Sequence, residues 1–249
     1  NFILMKPIAI IPARYGSTRF PGKPLAKLHG KPMIEHVYQQ TRRAIEEVWV
    51  ATDDNRIRQA VKNFNGQCVI TSDQHQSGTD RVNEALEKIE QHTGRSFHIV
   101  VNVQGDEPLI QPGQLQELLS CFTHGNTQIA TLIKPASNQD EIFNENLPKV
   151  ITDVWDNAIY FSRSPIPFIR NHPREQWSRQ YPFMKHIGLY GYRSAILREI
   201  TRLEPSSLEK AESLEQNRWI QNGYQIKTAA TIYENHPVDT PEDLKKMQS

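Results

Sequence analysis

PIAIIPARYGSTRFPGKP, residues 7–24, decides how the rest of the chain is read. Residues 7–11 are apolar and rich in isoleucine, the mark of a buried strand, and the run stops where Pro and Gly begin. Beyond the loop, residues 32–44 carry Met33, Val37 and Tyr38 and read as a helix, with Pro32 suited to its first turn. Strand, basic glycine-bearing loop and helix form the phosphate-binding arrangement of open α/β sheets, where backbone amides and a helix N-terminus face the anion. The first 31 residues hold six basic side chains and no acidic one, which places Arg14, Arg19 and Lys23 to bond phosphate oxygens. A solvated basic loop is the plainer alternative. The clustering, the absence of a carboxylate before Glu35 and the position behind a first strand argue against it. The loop is neither GxxxxGK[ST] nor GxGxxG, which excludes a P-loop ATPase and a classical dehydrogenase.

The 249 residues suffice to bury a full core, as one α/β domain with an embellishment or as two domains. A net charge of +1 argues against nucleic acid or a membrane surface as partner, and no apolar run approaches a membrane span. Met5-Lys6 reads as a natural start, with residues 1–4 a vector-derived remnant or short extension. Cys68 and Cys121 form neither a CxxC nor a disulfide framework, so a reducing cytoplasm is expected and both read as small buried hydrophobes.

Strand and helix patterns alternate through the first half. Strands are expected at 47–51, 67–70, 98–103 and 129–133. Helices are expected at 55–64, capped by Asp53 or Asp54, and at 79–89 and 114–122. The alternation predicts an α/β fold, a Rossmann-like, mostly parallel sheet with helices on both faces. Ligands bind beyond the strand C-termini of such sheets, so Pro12, Thr52, Thr71 and Gln104 are expected to open onto one crevice. From about residue 149 the pattern changes. KVITDV and NAIYFS read as a hairpin around Asp156-Asn157, followed by a stretch at 165–182 rich in proline and aromatics, an inserted lobe. Helices return at 194–203 and 213–222, with Ser213 and Gln216 as a capping box, then a strand at 225–231 and a closing helix from Pro241.

VNVQGDEP, residues 101–108, sets Gln104, Asp106 and Glu107 behind an apolar strand. A carboxylate there, beside a phosphate loop, suits Mg²⁺, which prefers oxygen ligands and keeps substrate phosphates in its shell. Asp239 in HPVDTPED is a second candidate ligand, although Asp239-Thr240-Pro241 also reads as an ordinary helix cap. Two carboxylates and a polyphosphate loop point to metal-assisted phosphoryl or nucleotidyl transfer. HQSGTDR, residues 75–81, puts Ser77 and Gly78 before a helix, with Asp80 and Arg81 placed to hold the loop or reach substrate. In KHIGLYGYR, His186 and Tyr190 share one strand face. GxSxG, HExxH and Cys/His ligand spacings are all missing.

PARYGSTRFPGKPL, HQSGTDR, VNVQGDEP, YFSR, KHIGLYGYR, SLEQNRW and VDTPEDL, in that order, resemble the 3-deoxy-manno-octulosonate cytidylyltransferases over nearly the whole chain. The resemblance implies a single nucleotidyltransferase domain of the nucleotide-diphospho-sugar transferase type, with a β-rich lobe at about residues 149–190 for sugar binding and dimerisation. It implies transfer of CMP from CTP to the anomeric hydroxyl of 3-deoxy-manno-octulosonate (Kdo), releasing pyrophosphate and feeding lipopolysaccharide assembly, with Mg²⁺ as cofactor and a cytoplasmic homodimer as the setting. Position by position it gives Arg14, Ser17, Arg19 and Lys23 to the triphosphate, with Ser77, Gly78 and Arg81 on the nucleotide. Asp106 and Asp239 go to the metal, and Gln104, Arg163, His186, Tyr190 and Glu215 to the sugar. Arg19, Lys23, Asp106 and Asp239 are the expected catalytic set. A sialic acid synthetase, a GT-A-like glycosyltransferase and a silent nucleotide-binding scaffold are the competing classes. YFSR and KHIGLYGYR count against the first, and Gly105-Asp106-Glu107 in place of Asp-x-Asp against the second.

Overall fold

Ile8, Ala9, Ile10 and Ile11 are wholly buried, as a parallel strand covered on both faces requires. Each such isoleucine stabilises the fold by about 1.5–3 kcal/mol. The computed structural model describes residues 6–17, 19–123 and 125–248. The expected extension at residues 1–4 lies outside them.

Along the chain run β1 (Pro7–Pro12), β2 (Lys27–Leu28), β3 (Lys31–Pro32), α1 (Met33–Arg42), β4 (Glu47–Thr52), α2 (Asn55–Asn63), β5 (Gln67–Ile70), α3 (Gly78–Thr93), β6 (Ile99–Asn102) and α4 (Pro112–Ser120). Then come β7 (Ile129–Pro135), α5 (Gln139–Phe143), β8 (Lys149–Thr152), β9 (Ala158–Ser162), α6 (Trp177–Gln180), β10 (Met184–Arg193), α7 (Ser194–Ile200), α8 (Ser207–Glu212), α9 (Gln216–Gln221), β11 (Ile226–Ala230) and α10 (Pro241–Gln248). The fold is mixed α/β with a mostly parallel central sheet flanked by helices, as expected.

The described residues divide into two compact units. The first comprises the chain up to Gln116, Gly191–Thr201 and the residues from Tyr233 on. In it β1 lies between β4 and β6, parallel to both, with Ile10 opposite Trp49 and Asn102, and β5 continues parallel to β4. Parallel pairing sends every strand C-terminus to one edge, where the loops must carry the chemistry. A satellite cluster of Leu28, Met33, Val238 and Leu244, joined by Phe20 of the basic loop, packs α10 and the segment before it onto that loop.

The second unit holds Glu117–Tyr190 and Arg202–Ile232. Here β7 and β11 pair in parallel, while β8 pairs antiparallel with β9 and β10. The β8–β9 turn forms where Asp156-Asn157 predicted it, with Asp156 at φ 59° and the Asp153 carboxylate taking the N–H groups of Trp155 and Asn157 at 2.9 and 2.8 Å. The proline-rich stretch has its own apolar nucleus, Ile142, Trp177 and Phe183, with the last two rings stacked at 6.1 Å. Cys121 is buried as expected while Cys68 is only half-buried, and burial pushes the Cys68 thiol up to about 11 and that of Cys121 upward as well.

Three local expectations are corrected. Pro32 does not open the first turn of α1. It is the residue before it, extended at ψ 141° and paired with Lys27, because Ala26 accepts the N–H of Met33 and ties the helix start to the β2–β3 ribbon. Ser213 does not cap the helix that follows. It ends α8 in the left-handed region at φ 50°, and the capping box forms seven residues earlier between Ser206 and Glu209. The sequence Ser206-Ser207-Leu208-Glu209 carries the same pattern at the head of α8, where the Arg218 guanidinium also holds Glu209 at 2.8 and 2.7 Å. Thr52 and Thr71 do not open onto the crevice. Both are buried, with Thr71 bonded to Arg81 and Thr52 to the N–H of Asp54, so they brace the strand ends from beneath.

Candidate active site

The loop after β1 is tied down by its own sequence. Tyr15 accepts the N–H groups of both Ser17 and Gly22 at 2.9 Å, and Gly22 adopts φ 71°, a region that glycine enters without steric cost. A Cβ on Gly22 would also meet the Tyr15 ring at 3.1 Å. On Tyr15 lies the guanidinium of Arg56, 3.3 Å from the ring centroid and fixed in turn by the Asp54 carboxylate that caps α2. The loop is thereby folded into a wall of a cleft of about 290 Å³. Arg14, Ser17, Arg19, Lys23, Ser77, Gly78, Arg81, Gln104, Asp106 and Asp239 all line it. Ten of the fourteen residues expected to bind nucleotide, metal or sugar are thus brought together within the first unit.

The two carboxylates reach this cleft by different routes. Asp106 follows β6 in a turn that approaches the first loop so closely that a Cβ on Gly105 would stand 2.7 Å from the Pro12 carbonyl oxygen. Asp239 precedes α10 but does not cap it. Thr240 Oγ1 accepts the N–H of Asp243, and the Asp243 carboxylate accepts the N–H and hydroxyl of Thr240, bonds that hold its pKa below the ordinary value. Asp239 is released from capping, and its Oδ1 takes Arg19 at 3.1 Å and Lys23 at 3.5 Å. Lys23 also donates to Asp106 Oδ2 at 2.7 Å, so one ammonium sits against both carboxylates.

Two carboxylate oxygens converging on a cationic group are compatible with a divalent metal. The described residues hold no cluster of three or more His, Cys, Asp or Glu side chains. A hard cation at Asp106 and Asp239 would therefore complete its shell with water and phosphate oxygens, the usual practice of Mg²⁺. Beside the pair, Glu107 is buried. Burial and the neighbouring charge of Asp106 push its carboxyl up to about 7.

Ser77 caps α3, accepting the Asp80 N–H at 3.1 Å. Arg81 lines the cleft but is committed: its guanidinium donates to Thr71 at 2.6 Å and to Asp53 at 2.7 Å. Of the two roles read for Arg81, holding the loop is the one these bonds perform.

Arg163, His186, Tyr190 and Glu215 belong to the second unit. Arg163 donates from Nε to the Glu212 carbonyl at 2.7 Å, from Nη1 to Glu145 at 2.9 Å and from Nη2 to Ser213 at 3.2 Å. The second hydrogens of Nη1 and Nη2 stay outside these bonds. Glu212, which the sequence reading did not single out, is the hub here. Against the upward push of burial, the Arg163 N–H, Ser162 and Tyr160 hold its carboxyl below the ordinary range. Nothing in its helical context distinguishes Glu212 from a solvent-facing acid. Lys149, paired across β8–β9 with Ser162, is fully buried and donates to the carbonyls of Asn144 and Leu147, with burial and Arg163 drawing its pKa down to about 8. His186 lies between Phe161 and Tyr190 at 5.0 and 5.3 Å, 3.0 Å from the Thr131 hydroxyl, and burial pulls it down to about 3. That direction favours the neutral imidazole at neutral pH, a ring that can hydrogen-bond without carrying charge. Glu215 pairs with Arg218 at 3.3 Å.

A parallel sheet that delivers a basic loop and two carboxylates to one cleft defines a nucleotidyltransferase. The family profile described as Cytidylyltransferase matches residues 8–228. Curated proteins named 3-deoxy-manno-octulosonate cytidylyltransferase resemble the chain throughout. That of Parabacteroides distasonis is 55% identical over 98% of this chain and 97% of the relative. That of Bacteroides thetaiotaomicron is 54% identical over 97% and 96%. The solved structure of CMP:2-keto-3-deoxy-manno-octonic acid synthetase complexed with CTP superposes with a TM-score of 0.89 at 41% identity, over 98% of this chain and 97% of that one. The chain belongs to the 3-deoxy-manno-octulosonate cytidylyltransferase family, as its motifs implied.

Proposed function

We propose that the chain transfers CMP from CTP to the anomeric hydroxyl of Kdo, releasing pyrophosphate and supplying CMP-Kdo for lipopolysaccharide assembly. The observation that carries this reading is the closure of Arg19 and Lys23 onto Asp239 and Asp106 in one cleft. The cations that would meet a triphosphate and the carboxylates that would hold a metal are already assembled.

Arg14, Ser17, Arg19 and Lys23 bind the triphosphate, with α3 capped by Ser77 at the cleft wall. Asp106 and Asp239 hold Mg²⁺, which when bound neutralises phosphate charge. The sugar hydroxyl forms its bond to the α-phosphorus as the bond to the pyrophosphate oxygen breaks in line, and its proton passes to solvent. Arg19 and Lys23 neutralise the negative charge that grows on the departing oxygens, so positioning and electrostatics supply most of the acceleration. Gln104, Arg163, His186, Tyr190 and Glu215 bind the sugar. In this role Arg163 offers its two remaining Nη hydrogens to the Kdo carboxylate while its backbone bonds hold the fork in place.

Val154, Trp155, Ile159 and Phe168 of the second unit are 87, 71, 51 and 74% exposed, an apolar surface suited to a second copy of the chain. The working form is read as a homodimer in the cytoplasm. No helix of the described residues is long and apolar enough to cross a membrane.

The test is pyrophosphate release from CTP and Mg²⁺ with Kdo and N-acetylneuraminate offered in parallel, and Asp106→Asn as control. Release with Kdo alone, abolished in the variant, is expected. Release with the sialic acid hands the function to the related synthetase.

A further inference from the structure

Asp106 and Asp239 sit on segments far apart in the chain, and a metal between them needs their separation held to a few tenths of an ångström. Three bonds between the two segments fix their spacing. The N–H of Val238 donates to the Asp106 carbonyl at 2.9 Å. The other two end on one side chain: Glu107 Oε1 accepts Asn235 Nδ2 at 3.0 Å, and Oε2 accepts the N–H of His236 at 3.2 Å. Glu107 thus grips the strap leading to Asp239 with both carboxylate oxygens, while its own backbone continues the turn that carries Asp106.

The grip is braced from behind. Asn235 Oδ1 accepts Gln114 Nε2 at 2.7 Å, and Gln114, 1% exposed, accepts the Gln111 N–H through its own Oε1. With Glu107 8% exposed, water has little access to replace a bond that is lost. A turn residue without a further duty would face solvent. A carboxylate buried against neutral N–H donors is costly unless both oxygens are satisfied, and here the strap satisfies both.

We propose that Glu107 is a positioning residue: it touches neither nucleotide nor metal, but by holding Asn235 and His236 it sets Asp239 opposite Asp106 and thereby determines the affinity of the site for a divalent cation. This rests on the reading of Asp106 and Asp239 as the metal carboxylates. Hydrogen-bond partners one step behind metal ligands commonly govern affinity by about 10- to 100-fold.

The experiment follows Mn²⁺ binding to the full chain by the loss of the free-ion paramagnetic resonance signal, at one fixed CTP concentration and without turnover. Wild type, Glu107→Ala, Glu107→Gln, Asn235→Ala and Asp106→Asn are compared. Glu107→Ala is expected to weaken binding about 10- to 100-fold, and Glu107→Gln, which keeps an acceptor for His236 and can pair with a reoriented Asn235 amide, to stay within about threefold of wild type. A general loss of stability would not be rescued in this way by glutamine. Wild-type Mn²⁺ affinity in Glu107→Ala, with binding lost in Asp106→Asn, overturns the proposal and leaves the metal site standing. Unchanged affinity in Asp106→Asn overturns the metal site and the proposal with it. Should Glu107→Ala fail to fold, Asn235→Ala decides: weakened binding supports the grip and wild-type binding refutes it.

Discussion

The Nζ of Lys23 stands 2.7 Å from Oδ2 of Asp106, an ion pair in which the lysine is 13% exposed and the aspartate 29%. The free protein neutralises its own carboxylates with the cation that the reaction would use on phosphate.

Replacing Lys23 by Met therefore has two effects of opposite sense. Turnover falls, by about 10²–10³ for the loss of one charge-stabilising donor. The same change removes a competitor for Asp106 and Asp239, so Mg²⁺ raises the melting temperature of the variant more than that of wild type. Steady-state kinetics and a thermal scan with and without Mg²⁺ check both.

Arg19 separates catalysis from stability. Its side chain is 68% exposed, so its pair with Asp239 adds little to the fold. Arg19→Ala is expected to melt like wild type while losing roughly 10³–10⁵ in turnover, the range for a charge-neutralising arginine in phosphoryl transfer. Near-normal turnover would remove Arg19 from the catalytic set.

Gly105→Ala tests the close approach of the two loops. With a Cβ 2.7 Å from the Pro12 carbonyl oxygen, the backbone must move, at a cost of about 1–3 kcal/mol. At roughly 2–4 °C per kcal/mol for a chain of this size, a melting point lower by several degrees is expected. Because the shift moves Asp106, the Mg²⁺ concentration for half-maximal rate rises with it.

Arg163→Ala is expected to raise the KM for Kdo while leaving that for CTP near wild type, since its partners all lie within the second unit. Equal effects on both substrates would contradict the sugar assignment.

His186 makes stability fall in acid. Unfolded, it takes up a proton near 6.5; packed between Phe161 and Tyr190 and desolvated there, it resists until about 3. Its contribution is complete above about pH 6.5 and declines as pH falls toward 3, because the unfolded state binds the extra proton. Melting temperature plotted against pH should slope less steeply in His186→Asn. No His186 limb is expected in the pH–rate profile between 5 and 8.

Much of this was legible in the chain. The apolar run at Ile8–Ile11, the caps at Asp54 and Ser77 and the Asp156 turn are local signals, each carried by a few adjacent residues whose side-chain chemistry acts on its own backbone. Where two local signals competed, the pattern alone could not choose. Ser213 and Ser206 both precede a suitable partner, but Ser213 ends α8 in the left-handed region and the box forms at Ser206. Asp239 looked like a cap because Asp commonly is one; Thr240 takes that duty through Asp243 and leaves Asp239 to the cleft.

By itself, then, the sequence determined the longer strands, the basic loop and the order of the motifs, though not the short β2–β3 ribbon, because hydrophobic periodicity and backbone capping act over a few residues. The tertiary structure decided which charges meet. Lys23 and Asp106 are 83 residues apart, and Arg19 and Asp239 are 220 apart. Their encounter follows from the packing of Val238, Leu28, Met33 and Phe20 and from the glycine-sized gap at Gly105. The grip of Glu107 became visible only there: a neighbour of Asp106 in the sequence, it is buried in the fold where the strap through Asn235 and His236 closes over it.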